Sequence, residues 1–222
     1  MKSRNLTAEE VKKFKIGFVT NNQNTFEEFS KNFDKKILKE TGLFYFDDKK
    51  NKFIERFKDR VIFPINNISG DPIGLGGRTI KSSSYLAKYI NSPETPFFKK
   101  GSNLYNLDKA RKLSNKEDFI YLVEGYMDVI GLYQHGVKNA VASSGTAFTQ
   151  EQLRKILSYT NSIFIVFDGD EAGYKASWRA VENALPIIRE DTRISFIFLN
   201  PGEDPDSFIT VSYTHLTLPT KA

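Results

Sequence analysis

From Phe119 onward the chain alternates between short apolar runs and amphipathic stretches. Phe119-Ile120-Tyr121-Leu122-Val123, Ala140-Val141-Ala142, Ile163-Phe164-Ile165-Val166-Phe167 and Ile194 to Leu199 are bounded by polar or glycine-containing segments, which predicts four strands. Between them, Val129, Ile130, Leu132 and Tyr133 predict one helix. Thr149-Gln150-Glu151-Gln152 has the pattern of a capping box opening a second helix to about Leu157, and a third runs from about Ala172 to Ile188. Strand and helix repeated with short connections imply an α/β fold, a parallel sheet with helices packed on its faces. Functional groups then belong at the C-terminal ends of the strands.

The first half has a different texture. Thr7-Ala8-Glu9-Glu10 followed by Val11 and Phe14 predicts a capped helix, Lys15 to Val19 a short strand and Asn21 to Asn24 a loop. Phe26, Phe29, Phe33, Ile37 and Leu38 fit a helical stripe expected to face the core. Val61 to Ile65 and Ile73 to Arg78 predict two strands around a turn at Asn67 to Asp71. Residues 81–105, rich in Ser, Asn, Pro and Lys, show no sustained period and are expected as a long ordered loop. After Thr210, residues 211–222 are Thr-rich and nearly uncharged, and are expected to be a non-native tail, which takes His215 out of the functional argument.

The division into 1–115 and 116–210 is sharpened by charge. Residues 1–115 carry 23 Lys/Arg against 13 Asp/Glu, whereas residues 116–222 carry 9 against 14. Either this is an uneven solvated surface, or a basic half holds a polyanion while an acidic half holds the cations for chemistry on it. The 222 residues contain no cysteine and two histidines, which excludes thiol nucleophiles and Cys-ligated zinc and disfavours a His-based triad. No apolar run approaches the roughly 18 residues of a membrane span, and Met1 to Glu10 is no signal peptide, so a cytoplasmic protein without membrane contact is expected.

Three of the predicted strands end in acids: Glu124 after Val123, Asp168 and Asp170 after Phe167, and Asp204 with Asp206 beyond Leu199. In a parallel sheet these ends share one edge, and converging carboxylates repel one another unless a cation joins them. Oxygen ligands without His or Cys select Mg²⁺ or Mn²⁺ over zinc. Asp128, one helical turn after Glu124, is placed to face the same site. Taken alone, Asp168-Gly169-Asp170 also reads as a surface turn, and Asp204-Pro205-Asp206 as a capped helix start. His135, before Gly136, is expected to cap a helix C-terminus.

Val123-Glu124-Gly125-Tyr126-Met127-Asp128 and Phe167-Asp168-Gly169-Asp170-Glu171-Ala172-Gly173 together resemble the Toprim signature as it occurs in bacterial DNA primases of the DnaG type. Phe14 to Phe18, Arg56 to Ile65, Gly76-Gly77-Arg78, Lys88 to Thr95, Ala140 to Ala142 with Gly145-Thr146, and Gly202 to Asp206 resemble further blocks of that family's RNA polymerase domain. The resemblance covers about Arg4 to Ile209 and implies a smaller basic α+β N-terminal subdomain beside a Toprim-type sheet, with a groove between them for template and primer. It implies Glu124, Asp168 and Asp170 as catalytic, metal-binding acids supported by Asp128, Asp204 and Asp206. Arg4, Arg60, Arg78, Lys88 and Lys100 are implied on the nucleic-acid-binding face, with Tyr85 and Tyr89 available for stacking or for packing.

The activity so implied is nucleotidyl transfer from ribonucleoside triphosphates, making a short RNA primer on single-stranded DNA in replication, in a nucleoid-associated cytoplasmic enzyme. A zinc ribbon before residue 1, a helical subdomain after Thr210 and a further domain contacting the replicative helicase are expected to be missing from this stretch. Another Toprim enzyme, a nuclease or topoisomerase, and a non-catalytic single-strand-binding module are the alternatives. The first-half motifs favour the primase family.

Overall fold

A computed structural model describes residues 6–21, 24–81, 86–113, 119–143, 145, 148–203 and 205. The described residues fall into two compact units, one from 1–67 and 71–100, the other from 68–70 and 101–222.

The first unit opens with α1 (Ala8–Lys13), capped by Thr7 as the sequence predicts: Thr7 Oγ accepts the Glu10 N–H, and the Glu10 carboxylate accepts the Thr7 N–H in return. After β1 (Gly17–Val19) come α2 (Thr25–Ser30) and α3 (Lys35–Glu40), where the sequence pattern predicts one continuous apolar stripe. Asp34 accepts the Lys36 N–H and starts a new helix, which resets the phase of the stripe. Phe26 and Phe29 therefore pack inward against Phe44 and Leu38 is buried, but Phe33 and Ile37 are each 54% exposed, contrary to expectation.

A hairpin of β2 (Phe44–Asp47) and β3 (Lys52–Glu55) follows; its apolar positions do not alternate cleanly enough to announce it in the sequence. Next are β4 (Arg60–Asn66), β5 (Pro72–Thr79) and β6 (Tyr89–Asn91), which join β1 in an antiparallel sheet ordered β1-β4-β5-β6. The turn at 67–71 forms as expected, closed by the Asn67 N–H donating to the Asp71 carbonyl at 2.8 Å. The long loop expected over 81–105 is interrupted by β6, a strand of three residues, too short to impose a period.

The second unit contains α4 (Leu107–Ala110), β7 (Ile120–Val123), α5 (Tyr126–Gln134), β8 (Ala140–Ala142), α6 (Gln150–Leu157), β9 (Ser162–Phe167), α7 (Glu171–Ala184) with a 3₁₀ turn at Leu185–Ile187, and β10 (Arg193–Phe198). Its four strands are all parallel in the order β10-β9-β7-β8, the α/β architecture expected from the alternating pattern. Ile120, Leu122, Val141, Ile163, Ile165 and Phe167 from the strands meet Leu153, Ile156, Ala180 and Ala184 from α6 and α7 in one buried cluster. Thr149 and Gln152 form the predicted capping box on α6. The compact units divide at 100/101, earlier than the charge pattern at 115/116, because Tyr105 pairs through its backbone with Ala142 beside β8.

Candidate metal-binding catalytic site

Two neighbouring strands bring the principal acids together. The β7–β9 register pairs Leu122 with Ile165, so Glu124, immediately after β7, falls level with Phe167 and beside Asp168, immediately after β9. Glu124 is half-buried, and its carboxyl is held above its ordinary pKa, first by burial and then by the negative charges of Asp168 and Asp170.

Two further acids are fixed by helix N-termini. Asp128 Oδ2 accepts the Gly125 N–H at 2.9 Å at the start of α5, and Asp170 Oδ1 accepts the Gly173 N–H at 2.7 Å at the start of α7. Each carboxylate thereby satisfies an N–H group that the first turn of its helix leaves without an intrahelical partner.

Both glycines after Asp168 are required by close approach. A Cβ on Gly169 would lie 1.8 Å from the Asn200 carbonyl oxygen, and one on Gly173 would lie 2.3 Å from the Asp168 carbonyl oxygen. The acid-bearing turn is thus pressed between the start of α7 and the segment after β10. The Gly169 N–H donates to the Glu203 carbonyl at 3.2 Å, while the Glu203 carboxylate accepts both the Asn200 backbone N–H and its side-chain amide. Asn200 and Glu203 therefore shape the site; Glu203 lies in the Gly202 to Asp206 block singled out in the sequence, whereas Asn200 has no signal beyond the turn-forming Pro201-Gly202 that follows it.

All the donors are carboxylate oxygens, the chemistry of a hard divalent cation, and the negative charge crowded around Glu124 is what such a cation relieves. As the side chains stand, no three acids or histidines among the described residues are close enough to enclose an ion. Asp204 and Asp206 lie outside the described residues.

The basic residues separate into two kinds. Arg78 and Tyr89 face each other across β5 and β6; the guanidinium lies 5.8 Å and Lys88 Nζ 5.7 Å from the Tyr89 ring centroid, and Tyr89 is 37% exposed. Arg60, expected on the same face, is instead 6% exposed. Its Nη1 donates to the carbonyls of Gly77, Ala87 and Lys88, and burial lowers its pKa. Lys100 is half-buried, and its backbone N–H donates to the Glu94 carboxylate. Arg4 and Tyr85 lie outside the described residues. His135 ends α5 as expected, with Nδ1 2.9 Å from the Gly131 carbonyl.

Residues 1–111 match the family of the DNA primase catalytic core, N-terminal domain, and residues 121–209 match the Toprim-like family. The chain belongs to the bacterial DNA primase family. It is 42% identical over 211 residues to the DNA primase of Pseudomonas aeruginosa, covering 94% of this chain and 32% of that relative. The chain thus spans about a third of the length of the curated primases it matches. A primase domain from the same organism superposes with a TM-score of 0.87 at 42% identity, covering 95% of this chain and 65% of that one. The Escherichia coli primase catalytic core gives 0.87 at 38% identity, covering 94% and 66%. A primase catalytic domain solved with single-stranded DNA gives 0.85 at 37% identity, covering 94% and 67%.

In this primase fold, Arg60 acts on the Arg78–Lys88–Tyr89 cluster by holding the strand backbones beneath it. Replacing Arg60 by Met leaves three carbonyls without their donor and is expected to lower unfolding free energy by about 1.5–3 kcal/mol, measured by urea denaturation. Unfolding curves that coincide with the parent's would show that these hydrogen bonds hold nothing.

Proposed function

We propose that this chain is the catalytic part of a primase, joining ribonucleoside triphosphates into a short RNA primer on single-stranded DNA. The observation that carries the reading is the convergence of Glu124 and Asp168 on adjacent ends of a Toprim-like sheet, in a chain whose other half matches the primase N-terminal domain. Glu124, Asp168 and Asp170 hold Mg²⁺ or Mn²⁺, with Asp128, Asp204 and Asp206 in support. A divalent ion there supplies charge to acidify the attacking 3′-hydroxyl and to stabilise the departing pyrophosphate.

Glu124, whose proton affinity is raised, is suited to accept the hydroxyl proton directly or through a water. Arg78 and Lys88 hold phosphates without reading bases, and Tyr89, flanked by both cations, offers a face on which a base stacks. Arg4 and Lys100 are assigned to template binding by the family resemblance alone. The basic 1–115 region serves the template and the acidic 116–210 region the chemistry. In the whole protein the replicative helicase is a partner, and the setting is the cytoplasm near the nucleoid. No helix among the described residues is long and apolar enough to cross a membrane.

A topoisomerase would need an accessible tyrosine nucleophile near these acids. Tyr105, which packs edge-on against Tyr126, is buried and its phenol is pushed far up in pKa by burial and by Asp108, which disfavours Tyr105 in that role; Tyr174, at the start of α7, is 56% exposed, so what weighs against a topoisomerase is the match of residues 1–111 to the primase N-terminal domain.

Primer synthesis on a single-stranded template with the four ribonucleotides, with Mg²⁺ against EDTA, tests the proposal in this chain and in one extended to the length of the solved cores. Metal-dependent RNA products support it, and metal-dependent cutting of the template without synthesis overturns it in favour of a nuclease. The basic cluster makes a separate prediction. Log affinity for single-stranded DNA falls with log salt, and replacing Arg78 and Lys88 by Ala makes the slope shallower by about 0.7 for each phosphate that the two side chains neutralise. An unchanged slope in titrations from low to high salt would remove Arg78 and Lys88 from the template face.

A further inference from the structure

Phe97 is 78% exposed, more than any other large hydrophobic side chain among the described residues, yet it stands on a closely held turn of the first unit. Thr95 closes that turn: its N–H donates to the Phe98 carbonyl at 3.0 Å, and its Oγ1 accepts the N–H groups of Phe97 at 3.3 Å and of Phe98 at 2.9 Å. The base of the turn rests on two glycines. A Cβ on Gly74 of β5 would lie 3.0 Å from the ring of Phe98, which is 3% exposed. One on Gly42 would lie 2.8 Å from Pro93 Cδ and 3.1 Å from Thr95 Cγ2. With Thr95 and Phe98 packed down in this way, Phe97 is held out in water.

The turn shares a sheet face with the basic cluster. Gly74 and Arg78 are four residues apart on β5, so a Cβ on Gly74, which would point at Phe98, and the Arg78 side chain leave the strand on the same side. Tyr89 is paired directly with Arg78 across β5 and β6. At about 3.3 Å per residue, the two places lie about 13 Å apart along the strand.

We propose that Phe97 is a second stacking point for single-stranded DNA, on which one base lies while another lies against Tyr89. The inference rests on the reading of this chain as a template-binding primase and adds a residue to its template face. Aromatic rings interleaved with cations suit a single strand, because every base has a face to stack and every linkage a charge to hold. A protein partner takes a contiguous apolar patch instead, and the exposed neighbours of Phe97 along the chain are Pro96 and Lys99.

Titrating labelled oligothymidine with this chain from low to high salt, read by fluorescence anisotropy, tests the proposal. Phe97→Ala is expected to weaken binding about five- to a hundredfold at every salt concentration. The slope of log affinity against log salt should stay as it is, because the ring carries no charge. Phe97→Leu, apolar but without a π face, should lose nearly as much, and Phe97→Trp should bind at least as well as the parent. Trp178 is the one tryptophan of the chain, so in a Trp178→Phe background the Phe97→Trp fluorescence reports stacking directly and should be quenched by oligothymidine. Circular dichroism melting shows that each variant folds, as expected for so exposed a position. A Phe97→Ala or Phe97→Leu variant that binds as the parent does would overturn the stacking proposal and leave the primase reading standing. A parent chain that binds no oligothymidine would overturn both.

Discussion

Replacing Glu124 by Gln is expected to lower primer synthesis by about 10²–10⁴-fold while leaving single-stranded DNA affinity within a factor of about two. The substitution keeps size and polarity but removes a charge and a proton acceptor from the junction of β7 and β9. On the proposed reading template affinity rests with Arg78 and Lys88 on the other sheet, so it is expected to hold. Filter binding alongside single-turnover synthesis reads both quantities; equal losses in the two would place Glu124 in template binding instead.

The same residue links function to stability. Burial and the charges of Asp168 and Asp170 make Glu124 hold its proton more tightly in the folded chain than in the unfolded one. Protonation therefore stabilises the fold. That contribution is complete below the ordinary value of 4.5 and is lost as pH rises through the raised folded value. Gln, always neutral, retains it. In EDTA at neutral pH the variant should melt above the parent, with each kcal/mol worth about 2–4 °C at this chain length, and the gap should close as pH falls towards 4.5. Synthesis by the parent should also fail on the acid side, where Glu124 holds its proton. A variant that melts below its parent at neutral pH would mean that Glu124 is held by favourable contacts rather than opposed by its neighbours.

The second large effect belongs to Gly169. A methyl group there meets the Asn200 carbonyl oxygen at 1.8 Å, and the obstacle is backbone, which cannot rotate aside as a side chain does. Gly169→Ala must open the turn between Asp168 and Asp170 or push away the segment after β10. A cost of about 3 kcal/mol or more is expected, at the upper end for overpacked positions. Gly17→Ala is the control, since a Cβ there meets nothing within 4 Å. Urea denaturation of the pair should separate them clearly; similar midpoints would show that the turn yields easily.

These two residues also mark what is legible in the sequence. The position of Glu124 follows from an apolar run that stops at Val123, and that of Asp168 from one that stops at Phe167, because a parallel sheet aligns its strand ends. The four strands, their flanking helices and the capping boxes are readable because each leaves a local mark in the sequence, an apolar run, an amphipathic period or a cap residue. The burial of Arg60 is not, since its acceptors at Gly77, Ala87 and Lys88 lie 17 to 28 residues away and an arginine in a strand ordinarily points outward. The strand β6 and the exposure of Phe33 and Ile37 escape likewise, one being too short for a period and the other depending on a single cap at Asp34.

The caps at Asp128 and Asp170 have a consequence for the order of events. Both carboxylates are already satisfied by the backbone of α5 and α7, so their charge has a resting place in the protein itself. Folding then need not wait for an ion, unlike small domains whose metal and fold arrive together. On the proposed reading a chelator should silence the protein without unfolding it, and an ion would share each carboxylate with the first turn of a helix, which engages one of its two oxygens.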